Sequence, residues 1–122
     1  MSDQVLAIDQ GTHSTRAILF DNGGKVICSA RQSIGINRLS RSEVEQSPDE
    51  ILQSLQGVVS SVLDDPASRR GDIRCAGLAT QRSSVLAWEH ATGSPLSPVL
   101  SWQDRRAATF LATLGEHAQD IR

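Results

Sequence analysis

The chain has 122 residues, 39% of them hydrophobic, and a formal net charge of −2. That length suits one small domain with a core of its own. The charge offers no attraction to a polyanion, and Arg69-Arg70 and Arg105-Arg106 are too small to form a basic patch, so nucleic acid is not expected as a partner. Met1-Ser2-Asp3-Gln4 has neither a basic start nor an apolar stretch, and no apolar run approaches membrane-spanning length, which predicts a cytoplasmic protein without a membrane partner. Cys28 and Cys75 stand alone in apolar runs and are expected as buried free thiols, while His13, His90 and His117 lack metal-ligand spacing.

The chain opens on an apolar run, Val5-Leu6-Ala7-Ile8, that ends in Asp9 and passes through Gln10-Gly11-Thr12-His13-Ser14-Thr15 into Arg16 and a second apolar run. This spacing predicts strand, polar turn, strand. Gly11 lets the backbone approach a ligand closely. Thr12, Ser14 and Thr15 offer hydroxyls and Arg16 a fork of donors, all suited to phosphate oxygens, and Asp9 can hold a hydrated divalent cation beside them. The same residues also suit an ordinary hairpin turn.

Residues 15–21 alternate so that both faces are expected to be covered, and Asp21-Asn22-Gly23-Gly24 marks a reverse turn into a third strand over 25–30. Gly24-Lys25 is not a P-loop, because the upstream glycine and following hydroxyl are missing. Residues 35–46 lack periodicity and are expected as a surface loop. Ser47-Pro48-Asp49-Glu50 then combines an N-cap serine, a proline at the first helical position and a capping-box glutamate. Apolar residues at 51, 52, 55, 58, 59, 62 and 63 follow at helical spacing, each worth roughly 1.5–3 kcal/mol when buried. Asp64-Asp65-Pro66 ends that helix.

Ile73 to Ala79 reads as a strand with small central residues that permit close helix packing, and it ends in the polar cluster Thr80-Gln81-Arg82-Ser83. Ligand-binding groups occupy such a position in open α/β sheets. Two further strands are expected over 84–88 and 96–102, around a turn at 89–95, before a helix opening at Gln103 with apolar positions Ala107, Phe110, Leu111 and Leu114.

The order hairpin, third strand, helix, strand, with a carboxylate closing the first strand, resembles the α/β ribonuclease-H-like fold of actin, hexokinase and the sugar kinases. Asp9-Gln10-Gly11-Thr12 with Ser14 and Arg16, Glu45-Gln46 with Pro48, Gln81-Arg82, Trp88-Glu89 with Thr92-Gly93, and Trp102-Gln103 with Arg105-Arg106 are together similar to the amino-terminal part of FGGY-family carbohydrate kinases, glycerol kinases among them. The match runs in order along almost the whole chain.

This resemblance implies ATP-dependent phosphorylation of a polyol or sugar with Mg2+. It implies that Thr12, His13, Ser14 and Arg16 face the ATP phosphates, that Asp9 lies near the metal, and that Gln81, Arg82, Ser83 and Trp102 form part of the acceptor site. Arg82 would donate to hydroxyl oxygens and the Trp102 indole would cover the carbon chain. Residues 1–122 are accordingly expected to be the partial amino-terminal domain of a longer enzyme, with the catalytic base and second lobe beyond residue 122. Such a segment is expected to be inactive alone and to self-associate through faces left bare. Three departures stand out: Ser83 where glycerol kinases carry glutamate, His13 where they carry threonine, and Ser42-Glu43 in place of a Gly-Trp pair. The first predicts an acceptor other than glycerol. A non-catalytic sugar or nucleotide binder on the same fold, and a ribonuclease-H-like nuclease, are the alternative classes.

Overall fold

A computed structural model of the protein describes residues 2–117 and 120. Alternating side chains set the first three strands, β1 (Ser2–Gln10), β2 (Ser14–Asp21) and β3 (Val26–Ser33), which pair antiparallel. The β2–β3 turn closes because Asp21 Oδ1 accepts from the backbone N–H of both Gly23 and Lys25 at 2.9 Å, while Gly24 takes the left-handed φ of 80°. A fourth strand, β4 (Gly71–Thr80), joins the free edge of β1 in parallel, so the sheet order is β3-β2-β1-β4.

Helix α1 (Pro48–Asp64) makes the crossover. Its N-cap is as expected, with Ser47 Oγ accepting from Glu50 N–H at 3.2 Å. The return half of the capping box goes elsewhere: the Glu50 carboxylate accepts from Gly35 N–H at 2.8 Å and tethers the preceding loop. At the other end Asp65 is extended, as a residue before proline prefers. One stripe of α1 lies on the sheet, where Val58 and Val62 meet Leu6, Ala17 and Leu19 to form the buried core. Leu52 and Leu63, which share the helix's apolar spacing, face solvent instead.

The region expected as a surface loop contains buried structure. Val44 and Gln46 are almost wholly enclosed because β6 (Val44–Gln46) is the middle strand of a second small sheet, between β5 (Asn37–Arg38) and β7 (Val99–Leu100). One of its two partners, β7, lies more than fifty positions away, and the other is a two-residue strand, so neither leaves a local periodicity. The strands expected over 84–88 and 96–102 shrink to β7 and the isolated bridges Val85–Leu100 and Trp88–Pro95. Helix α2 (Ala108–Thr113) starts later than Gln103, since Asp104 holds Arg106 N–H in a side-chain turn, and Phe110 and Leu111 remain exposed.

Coverage of the main sheet is one-sided. Ala17 and Leu19 are buried against α1, whereas Ile18 and Phe20 are only half-covered and β4 is exposed along nearly all its length. Among the described residues no helix packs extensively on the small residues of β4. Cys75, on β4, is therefore exposed, and Cys28 is half-buried with its thiol pushed up by burial and then by Asp65. No helix among the described residues is long and apolar enough to cross a membrane.

A buried hydroxyl pair sets the registry between α1 and β2. Thr15 and Ser54 are both fully enclosed, with oxygens 2.6 Å apart, and Ser54 Oγ gives its one hydrogen to Ile51 C=O at 2.7 Å. Thr15 must therefore be the donor to Ser54. Ser54→Ala strands that buried donor and is expected to cost about 1–3 kcal/mol, whereas Thr15→Val leaves Ser54 with its Ile51 bond and costs less. Chemical denaturation of the two variants checks the asymmetry.

Candidate functional site

Gln10 and Thr80 lie side by side where β1 and β4 end, and Gln81 N–H donates to Gln10 C=O at 2.8 Å. The loops that follow thus leave the sheet together, at its carboxyl edge. Between them opens a pocket of about 590 Å³. Asp9 lines it from the end of β1, Gly11 and Thr12 from the first loop, and Gln81, Arg82 and Ser83 from the second; Trp102 covers a third side.

The first loop is a tight turn closed by Gly11 N–H donating to Ser14 C=O at 2.9 Å, and a side chain on Gly11 would crowd that oxygen. Four residues that the sequence offers to phosphates lie outside the pocket lining, and one of them, Thr15, is fully enclosed with its hydroxyl on Ser54. His13 projects into solvent, Ser14 Oγ accepts from Arg31 Nε at 3.1 Å, and Arg16 Nη2 lies 3.6 Å from Asp9 Oδ2 on the uncovered sheet face. Both members of that pair are more than half exposed, so it is weakly held and open to a ligand. Asp9 is the one carboxylate lining the pocket, and no group of three metal-ligating side chains occurs among the described residues.

On the second loop Arg82 is exposed and has no ion-pair partner among the described residues, leaving its donors free. Ser83 adopts the left-handed φ of 64°, a conformation uncommon outside glycine. Gln81, assigned from the sequence to the acceptor, uses its amide for internal bonds: Nε2 donates to Gln46 Oε1 at 3.1 Å and Gln10 Oε1 at 3.4 Å, and Oε1 accepts from Ser84 Oγ at 3.0 Å. Gln46, 1% exposed, donates to Thr12 C=O at 2.8 Å and Gly35 C=O at 3.1 Å. Trp102 donates from its backbone N–H to Ser84 Oγ at 3.0 Å and from its indole Nε1 to Thr12 Oγ1 at 2.9 Å.

Just after Trp102 in the chain a charged clamp fixes Asp104 and Arg106 to the second sheet. Arg106 forks onto Asp104, at 2.8–3.0 Å, and reaches Glu45 Oε1 at 2.7 Å, while Asp104 Oδ2 accepts from Val44 N–H at 2.7 Å. Hydrogen bonding to Arg106 lowers the Asp104 carboxyl to about 2, against some opposition from desolvation, and the same bond raises the Arg106 guanidinium.

The structure thus gathers Asp9, Thr12, Gln81, Arg82, Ser83 and Trp102 around one pocket and sets His13, Ser14 and Arg16 beside it. Reading the sequence missed Gln46, Ser84 and Asp104 as supports. Gln46 and Ser84 give no local signal, but Asp104 two residues before Arg106 is a recognisable side-chain turn.

Residues 4–122 match the FGGY family of carbohydrate kinases, N-terminal domain. The chain is 39% identical over 118 residues to a glycerol kinase of Acinetobacter baylyi, covering 97% of this chain and 24% of that protein. It is 36% identical over 110 residues to a glycerol kinase of Rhizobium meliloti, covering 90% and 22%. Among solved structures, Plasmodium falciparum glycerol kinase with ADP superposes with a TM-score of 0.91 at 25% identity, over 98% of this chain and 24% of that one. A gluconate kinase from Lactobacillus acidophilus shares the fold, with a TM-score of 0.86 at 20% identity, over 99% of this chain and 24% of that one. The chain therefore spans about a quarter of the length of the relatives it matches.

The Asp104 clamp carries a pH signature. A carboxyl held at about 2, below its ordinary 3.8, contributes in full above about pH 4 and loses that contribution as pH falls toward 2. Asp104→Asn is expected to lower the unfolding temperature at pH 7, and the gap from the unmodified protein is expected to close between pH 4 and pH 2. Thermal scans across that range provide the check.

Proposed function

Because the chain belongs to the FGGY family of carbohydrate kinases, we propose that these residues form the phosphate-binding turn and one wall of the acceptor site in an enzyme that phosphorylates a hydroxyl of a polyol or sugar with ATP. The observation that carries this reading is the shared pocket, in which Asp9 and Thr12 face Arg82, Ser83 and Trp102. A nucleotide phosphate and an acceptor hydroxyl have to meet in such a place, since phosphoryl transfer depends chiefly on positioning and charge neutralisation.

In this reading the turn's backbone N–H groups and the Thr12 and Ser14 hydroxyls hold phosphate oxygens, and Arg16 swings from Asp9 toward the same charge. His13 lies beside them. Asp9 suits Mg2+, because that ion takes one or two carboxylates and completes its shell with water and phosphate oxygens; when bound it would neutralise charge on the transferring phosphoryl group. Arg82 donates to acceptor oxygens, Ser83 adds a small hydroxyl, Gln81 holds the loop, and the Trp102 face excludes water from the carbon chain. The acceptor oxygen bonds to the γ-phosphorus as the bond from that phosphorus to the β,γ-bridging oxygen breaks and ADP leaves, while the acceptor's proton passes to a base supplied from outside these residues. A cytoplasmic setting and self-association belong to the same proposal, the latter supported by the bare sheet face and by exposed Leu52, Phe110 and Leu111.

Two measurements on the enzyme containing this segment test the proposal. Arg16→Ala is expected to lower kcat/KM for ATP by about 10²-fold without unfolding the protein; unchanged ATP kinetics would remove Arg16 from the phosphate site. Ser83 leaves the pocket without the acceptor carboxylate of glycerol kinases, so turnover of another polyol or sugar is expected to exceed that of glycerol. Ser83→Glu is expected to shift the ratio toward glycerol, at some loss of stability from the left-handed backbone. Efficient glycerol phosphorylation by the unmodified enzyme would refute this assignment.

A further inference from the structure

The bonds around the pocket form a closed circuit. Thr12 Oγ1 accepts from the Trp102 indole, Trp102 N–H donates to Ser84 Oγ, Ser84 Oγ donates to Gln81 Oε1, Gln81 Nε2 donates to Gln46 Oε1, and Gln46 Nε2 returns to Thr12 C=O. We infer that this circuit couples the phosphate turn to the acceptor wall, so that nucleotide and acceptor each tighten the other's binding, with Gln46 and Ser84 as positioning residues. The inference rests on the kinase reading above.

The direction of each bond supports it. An indole nitrogen only donates, so Thr12 Oγ1 must be the acceptor in its bond to Trp102. The single Thr12 hydrogen is then left for another oxygen, and a phosphate on the turn supplies one. A hydroxyl that accepts one hydrogen bond becomes a better donor of the next. An acceptor molecule that pins the Trp102 ring therefore strengthens Thr12 as a phosphate donor, and a phosphate held by Thr12 steadies the ring.

Gln46 fixes the other end of Thr12. Its amide is buried, gives both hydrogens to Thr12 C=O and Gly35 C=O and accepts from Gln81, so Thr12 cannot shift without stranding a buried donor. Ser84 carries both of its circuit bonds on the single oxygen Oγ, so removing that atom opens the circuit at two places. Neither residue lines the pocket, so each acts through its neighbours.

The test uses the enzyme containing this segment. Glycerol, xylitol, D-xylulose and D-gluconate are each titrated calorimetrically with and without saturating Mg2+ and β,γ-imido-ATP, and the nucleotide is titrated with and without the acceptor that binds best. The unmodified enzyme is expected to bind that acceptor about tenfold more tightly with nucleotide present, and the nucleotide by the same factor with acceptor present. Ser84→Thr, which keeps the hydroxyl, retains the factor. In Ser84→Ala and Gln46→Leu it falls to within about twofold of unity, while each ligand alone still binds. Should Gln46→Leu fail to fold, the Ser84 pair decides. Undiminished coupling in folded Ser84→Ala, or none in an unmodified enzyme that binds both ligands, overturns this inference and leaves the kinase reading standing; failure to bind nucleotide or any acceptor overturns both.

Discussion

Everything at the pocket depends on the parallel pairing of β1 with β4. The two strands run in register from Ser2 beside Gly71 to Gln10 beside Thr80, with one shift between Gln4 and Val5, and so finish level. Had they ended two residues apart, the loops carrying Thr12 and Arg82 would leave the sheet at different heights. The helix that joins the strands covers β2 and β3 far more than β4. The last strand is consequently held by its ladder of backbone bonds more than by burial.

Buried glutamines reinforce that ladder at both ends. Gln4, fully enclosed near the start of β1, in its satisfied amide orientation donates to Ser68 C=O at 3.0 Å and accepts from Gly71 N–H at 3.2 Å, where β4 begins. Gln10, six residues further along the same face, meets Gln81 where β4 has ended. An amide offers both donors and acceptors without charge, so it can join backbone segments in a buried place where an ion would pay a heavy desolvation cost. The charged clamp of Arg106, Asp104 and Glu45 lies further out, where water shares that cost.

Local chemistry made part of this legible. The Asp21 turn, the Ser47-Pro48 helix start and the alternation of the first two strands depend on neighbours within a few positions, and the sequence displays them directly. Val44–Gln46 was illegible as a strand because its partners, near 38 and 100, are set by tertiary pairing. Glu50 announced a capping box and bonded Gly35 instead, since a loop amide competing for the same carboxylate cannot be seen in linear spacing. Of the two strands expected over 84–88 and 96–102, the first is reduced to isolated bridges and the second to Val99–Leu100, just past Pro98, which has no N–H to donate, and the helix expected from Gln103 is delayed by the Asp104 turn. For the pocket, the resemblance of several blocks identified Asp9, Thr12, Arg82 and Trp102. The same blocks marked Gln46 and Gln81, but the bond between them and the part of Ser84 were invisible, because partners 35 positions apart leave no local pattern.

Ser83 has an evolutionary corollary. At a φ of 64° the backbone admits glycine, asparagine and aspartate with little penalty and resists β-branched side chains. Substitutions that reach the pocket from this position are thus filtered first by the backbone and only then by the ligand. Valine, isoleucine and threonine are closed to drift there, whereas serine, asparagine and aspartate lie one nucleotide change or a few apart. A lineage carrying this loop can move between hydroxyl, amide and carboxylate at one point of the acceptor wall without rebuilding the strand beneath it.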